Sequence, residues 1–184
     1  MSTTVWVVIA IIVVAVIVAA LLGAQAQRRR RLRETFGPEY DRAIESGSSR
    51  REAEADLAGR MKRRDALAIR ELDPAARERY VSSWKAVQAQ FVDDPVGALR
   101  RADALVNQVM TERGYPMSDF EQRAADVSVD HADVVDSYRR AHAVATRLQS
   151  GQVTTEEMRE AMLHYRSLFA SLLGATQATP EVVR

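Results

Sequence analysis

The apolar positions divide the chain into one unbroken run and a long periodic stretch. The run opens at Val5 and closes at Ala24, carries no charge, and thirteen of its twenty positions are Val, Ile or Leu. Twenty helical residues span roughly 30 Å, the hydrocarbon thickness of a bilayer. The thirteen aliphatic side chains favour insertion by about −4 to −8 kcal/mol in total. Their β-branching would favour a strand in water. In lipid a lone segment must satisfy its own backbone, so the run predicts a single transmembrane helix over residues 5–26, behind a short tail at 1–4. Trp6 stands where an interfacial aromatic anchor belongs. Ala15, Ala19 and Gly23 recur every four residues, a small-residue stripe that lets a second copy approach and form a homo-oligomer.

Beyond the run, apolar residues recur at helical spacing between clear start and stop signals. The basic stub at 28–35 continues the first helix up to Phe36-Gly37-Pro38, and a short helix follows over 39–46. Gly47 and Ser48 break it, and Ser49 with Glu52 three residues on has the spacing of a capping box. The next helix, 50–71, places Leu57, Met61 and Leu67 among dense charges and reads as a solvated spacer. Residues 27–72 are therefore expected to form a basic juxtamembrane stub and a helical stalk.

From 73 onward the periodicity strengthens. Asp73-Pro74 and Asp94-Pro95 are N-caps followed by proline at the first helical position. Tyr80, Trp84, Val87 and Phe91 form one stripe; Val96, Leu99, Val106, Val109 and Met110 form the next helix's buried face, which Gly114 ends. Ser118 with Glu121 predicts a second capping box opening a short helix at 119–126, with a break at 128–130. A long helix then runs to 149 on Val134, Tyr138, Ala141, Ala145 and Leu148, and Gly151 stops it. Thr154 with Glu157 caps the last helix, which buries Met158, Ala161, Met162, Tyr165, Leu168, Phe169 and Leu172 up to 173. No segment alternates like a strand. The expected architecture is all-α: a membrane helix, a stalk, a helical bundle over 73–173 able to fold from Asp73 onward, and a frayed tail at 174–184.

Charge refines this picture. Arg28, Arg29, Arg30, Arg31 and Arg33 crowd the C-terminal edge of the apolar run, while residues from Glu34 onward hold 21 Lys and Arg against 25 Asp and Glu. An acidic remainder argues against a nucleic-acid partner. The basic block suits anionic lipid headgroups and keeps its own side of the segment in the cytoplasm, N-out and C-in at the plasma membrane. Arginine outnumbers lysine 24 to 2, the codon bias of a GC-rich bacterial genome. Ala24-Gln25-Ala26 also has the small-x-small pattern of a cleavage site, so a secreted domain released near Ala26 is the rival reading. The missing basic n-region, the long apolar run and the arginines beyond it speak for retention.

Candidate chemistry is sparse. With no cysteine, thiolate catalysis and thiolate metal sites are excluded. The three histidines are His131, His142 and His164, and none has a glutamate three residues before it, as a di-iron bundle requires. Glu160 and His164 share a face at i, i+4. Glycine-rich phosphate loops and nucleophile elbows are missing. An enzyme, metal or ligand site built on His131, His142 or His164 is the alternative to a non-enzymatic adaptor without cofactor or metal, whose exposed residues between Arg113 and His131 would meet a protein partner.

Several stretches carry a resemblance: Gly37-Pro38-Glu39-Tyr40-Asp41, the segment from Glu78-Arg79-Tyr80 to Asp94-Pro95, Arg113-Gly114-Tyr115-Pro116, Asp119-Phe120-Glu121-Gln122-Arg123, and His164-Tyr165-Arg166. Together they resemble a family of uncharacterised membrane or secreted proteins of actinobacteria. The resemblance covers most of the chain after Thr35. It implies a bacterial, membrane-anchored protein and transfers no activity, ligand or catalytic residue.

Overall fold

The computed structural model describes residues 3–47, 49–148, 151 and 153–174, with the side chains of 3–5 and 7–10 outside that description. The sequence readings at Met1, Ser2, Ser48, Gln149 and the tail from 175 fall outside the described residues, as does the side chain of Val5. Among those described, all regular structure is helical: α1 (Thr3–Phe36), α2 (Pro38–Ser46), α3 (Arg50–Asp65), α4 (Pro74–Gln90), α5 (Pro95–Arg113), α6 (Phe120–Asp130), α7 (Val135–Arg147) and α8 (Thr155–Leu172). The all-α expectation holds.

α1 carries the apolar run, and it is the single helix among the described residues long and apolar enough to cross a membrane. Trp6, Ile11, Val14, Ile17 and Leu21 are exposed along it. The helix does not stop where the apolar run stops. It continues through the arginines until Gly37, at φ 44°, turns the chain into α2.

The larger core lies among α4, α5, α7 and α8, with α6 against its flank. Three of its helix starts, those of α4, α5 and α8, have a side-chain acceptor. Asp73 Oδ1 takes the N–H of Ala76 at 2.8 Å, Asp94 Oδ1 that of Gly97 at 2.8 Å, and Thr154 with Glu157 closes a reciprocal capping box. Each offsets a donor that the helix itself leaves unpaired, an effect of about 1 kcal/mol. All seven positions read as buried on the last helix are buried. Trp84 stacks on Phe169 with centroids 4.8 Å apart, and Tyr80 and Phe91 flank the core half-buried.

Four expectations need correction. First, the stalk is not solvated. Leu32 and Phe36 of α1, Tyr40 and Ala43 of α2, and Ala53 and Leu57 of α3 form a second core, with Met61 and Val129 against it. Its apolar residues come from three helices, so no one helix shows a strong stripe.

Second, the helix predicted over 50–71 ends at Asp65. Residues 66–73 leave the helix through a turn at Ala66-Leu67 and form a strap without regular structure across the end of α5. Arg70 donates its backbone N–H to Arg113 O at 2.9 Å and its Nε–H to Glu112 O at 2.8 Å. Those carbonyls are ones that a helix C-terminus leaves open. Leu72 and Ile69 drop into the main core. Gly114 admits the strap: its φ is +95°, and a Cβ there would sit 2.6 Å from Ala68 O. Helix propensity in Ala66-Leu67-Ala68 yields to this docking.

Third, α6 is capped by Asp119, whose Oδ1 accepts from Gln122 N at 3.0 Å, rather than by Ser118. A carboxylate at the positive end of a helix is the stronger acceptor. The helix also passes through the expected break at 128–130, and His131 still donates its backbone N–H to Val127 O at 2.9 Å. Fourth, Val96 is 38% exposed. It sits in the first turn at the bundle's edge, and Ala98, Ala102 and Leu105 complete the buried face instead.

Ion pairs join the two cores. Glu39 of α2, 2% exposed, receives Arg139 of α7 through two hydrogen bonds of 2.7 Å and Arg60 of α3 at 2.9 Å. Burial alone would raise the Glu39 pKa, but the bonds and charge of Arg139, then Arg60, reverse this and hold it below the usual carboxylate range. Arg64 grips Asp130 at 2.7 and 2.9 Å, and Arg63 lies 3.7 Å from the buried Asp126.

Candidate functional site

The most distinctive polar feature is a cleft where α1 leaves its apolar run. Arg29, Arg30 and Arg33 of α1 line one wall, Arg50 at the start of α3 faces them, and Tyr40 and Glu34 complete it around about 540 Å³. Helical geometry puts Arg29 and Arg33 on one face, at i and i+4. The turn at Gly37 folds α2 and α3 back beside them, which brings in Arg50 from seventeen positions beyond Arg33.

The acidic groups around this cleft are already engaged. Glu34 accepts from Arg30 Nε at 2.8 Å. Glu54 accepts the Tyr40 hydroxyl at 2.9 Å and lies 3.1 Å from Arg29 Nε, whose N–H is not aligned for a hydrogen bond. Arg33 reaches Asp41 only at 3.8 Å and lies over the Tyr40 ring, 5.1 Å from its centre. Arg28, Arg31 and Arg50 are exposed and make no ion pair among the described residues. The five arginines singled out in the sequence are thus divided. Arg29, Arg30 and Arg33 enter the cleft; Arg28 and Arg31 point elsewhere. Arg50 was missed, because only the fold places it beside them.

The histidines do not converge. His131 is buried between α6 and α7, with Nδ1 2.7 Å from Ser171 Oγ and Nε2 3.1 Å from Arg113 Nη1. A serine beside a histidine suggests nucleophile activation, but the protonation pattern is the wrong one. A guanidinium can only donate, so Nε2 must be the acceptor and the neutral ring carries its proton on Nδ1. Nδ1–H then donates to Ser171 Oγ and cannot take the serine proton. Burial, and then the charge of Arg113, lower the His131 pKa to about 4, which keeps the ring neutral.

His142 stacks on Phe120 at 3.7 Å between centroids, with Nδ1 3.8 Å from Asp103 Oδ1. Asp103 also accepts from the Tyr165 hydroxyl at 2.6 Å, which fastens α5 to α8. His164 is half-exposed on α8. No cluster of three or more metal-ligating side chains occurs among the described residues.

The region between Arg113 and His131, expected to offer a partner surface, is largely occupied internally. Arg113 donates to Leu172 O at 3.0 Å and to Arg70 O at 3.2 Å, and Tyr115, almost fully buried, donates to Asp130 at 2.8 Å. Met117 alone among its large apolar side chains is exposed. Along α1, Ala15, Ala19 and Gly23 are exposed, and nothing lies within 4 Å of a Cβ built on Gly23.

No family model, curated protein or solved structure matches the chain.

Proposed function

We propose that this protein is a membrane-anchored, non-enzymatic adaptor: its helical domain presents a surface to a protein partner at the inner face of a bacterial plasma membrane. The observation that carries the reading is the continuity of α1. The helix that holds the apolar run also supplies Leu32 and Phe36 to the second core, so anchor and domain share one rigid element. A flexible tether would let the domain tumble. A continuous helix, docked on α2, α3 and α6, fixes which face of the domain looks along the membrane.

The arginines support the orientation. In a span ending at Ala26, Arg29 to Arg33 lie roughly 4 to 11 Å further along the helix, at the depth of the headgroups or just outside it. Positive charge on that flank retains it in the cytoplasm. The adaptor reading is also supported by the structural work that His131 and His142 already do. The resemblance to actinobacterial membrane proteins fits the same location. A second copy is one partner that the stripe of Ala15, Ala19 and Gly23 would admit.

The test is photo-crosslinking of the full-length protein in its native membrane, with the reactive group at the exposed positions Met117, Val81 or Leu163. A discrete protein adduct from at least one position supports the adaptor. Adducts to lipid alone from all three contradict it.

A further inference from the structure

The cleft beside α1 holds more positive charge than its own carboxylates can balance. Arg29, Arg30 and Arg33 each have one carboxylate within 4 Å, Glu54 at 3.1 Å, Glu34 at 2.8 Å and Asp41 at 3.8 Å, while Arg50 has none among the described residues, so the four arginines keep a net positive charge. Like charges at i and i+4 on a helix repel, as Arg29 and Arg33 do here. Arg50 is placed still less favourably. It occupies the first turn of α3, the positive end of the helix dipole, next to a second arginine, Arg51, and makes no ion pair among the described residues. A cation there weakens the helix unless an anion sits between it and its neighbours. The floor is the buried Tyr40, fixed by its bond to Glu54, so the cleft is held open by the fold.

From this arrangement we infer that the cleft binds the phosphate of one anionic phospholipid, held between Arg29, Arg30 and Arg33 of α1 and Arg50 of α3. The inference rests on the membrane-anchored reading and narrows it from a diffuse basic rim to one site. The cleft begins three residues beyond Ala26, so a lipid whose tails run along the exposed apolar face of α1 brings its headgroup to these guanidinium groups. Guanidinium groups suit this ligand because they bind phosphate oxygens through paired, charge-assisted hydrogen bonds. Arg28 and Arg31 are outside the site and contribute only to the general surface attraction.

The test is a lipid titration of the full-length protein in a neutral detergent, read by native mass spectrometry. Phosphatidylglycerol, phosphatidylcholine and soluble glycerol phosphate are compared. The site predicts one retained phosphatidylglycerol, with phosphatidylcholine and glycerol phosphate retained at least tenfold less. Arg50→Gln should weaken that retention by about tenfold or more, the usual effect of losing a charge-assisted bond. The double variant Arg28→Gln/Arg31→Gln should stay within about threefold of the parent. Arg50 is exposed, so an unchanged thermal melt is the check that Arg50→Gln still folds.

Full retention by Arg50→Gln, with loss in the Arg28/Arg31 variant, would overturn the site in favour of the diffuse rim. Equal retention of glycerol phosphate would overturn the lipid assignment. Equal retention of the two lipids would overturn the site as well. None of these results alters whether the protein sediments with membranes, which is the separate measure of anchoring.

Discussion

Arg139 holds Glu39 through two hydrogen bonds of 2.7 Å across a hundred residues of sequence, and so ties the helices next to the apolar segment to the bundle. Removing one partner of a buried pair costs about 3–5 kcal/mol, because the other charge is left in a poor environment. Glu39→Gln should therefore destabilise the domain by that order in urea unfolding at pH 7. Arg139→Lys should also weaken it, since an ammonium cannot reproduce the paired geometry. The Glu39 carboxyl titrates below its ordinary range, so its contribution is complete above that range and is lost as pH falls through the lowered folded value. In Glu39→Gln this acid-side loss should shrink.

His131 predicts a second pH effect in a different window. Its folded pKa is about 4, against 6.5 for an ordinary histidine. Between those values the unfolded chain binds a proton that the folded protein excludes. Stability should thus be full above about pH 6.5 and fall by roughly 3 kcal/mol on acidification to about pH 4. His131→Phe should show a shallower slope across that interval in denaturation curves taken at half-unit steps. An unchanged slope would mean that His131 titrates normally.

Two aromatic truncations probe the two cores. Trp84→Ala and Phe36→Ala should each cost about 3–5 kcal/mol, though the second residue lies outside the bundle predicted from sequence. Trp84→Phe should cost much less. It keeps the ring facing Phe169 and removes an indole N–H that is buried without an acceptor. Calorimetric melting of the three variants gives the ordering.

Cap and stripe signals made most of the bundle legible. Asp73, Asp94 and Thr154 announce their helices because a helix start needs an acceptor within three residues, a purely local demand. Tyr80 to Phe91 and Met158 to Leu172 announce their faces for an equally local reason, the 3.6-residue period. What stayed hidden depends on distant partners. The strap at 66–73 leaves the helix because Glu112 and Arg113 need donors, and nothing within the strap says so. Leu32, Phe36 and Leu57 look isolated one helix at a time and become a core only when three helices meet. The same holds for the cleft: a run of arginines was visible, but Arg50's place beside them was not.

The second core changes where the domain can be cut. A fragment starting at Asp73 lacks Leu72 and Ile69 from the main core and strips Val129, Asp126, Asp130 and Arg139 of their contacts with α1, α2 and α3. It should therefore be clearly less stable than one covering 28–174. Proteolysis of the two fragments under native conditions should show the longer one resistant and the shorter one nicked first along α6. Equal resistance would show that the stalk helices add nothing.

The apolar segment and the arginines should have separable roles. Deleting residues 5–24 while keeping the arginines should release the protein to the soluble fraction at moderate salt. Basic residues near an anionic surface contribute only about 1 kcal/mol each and act within a Debye length.

The most direct measurement replaces Arg28, Arg29, Arg30, Arg31 and Arg33 with glutamine in the full-length protein and reads both membrane fractionation and orientation. Orientation is scored with a C-terminal reporter active only in the cytoplasm. The account predicts that the parent gives full reporter signal, and that the variant stays in the membrane fraction with mixed or inverted orientation. A parent whose reporter is silent, or a variant that keeps its orientation or leaves the membrane, would contradict it.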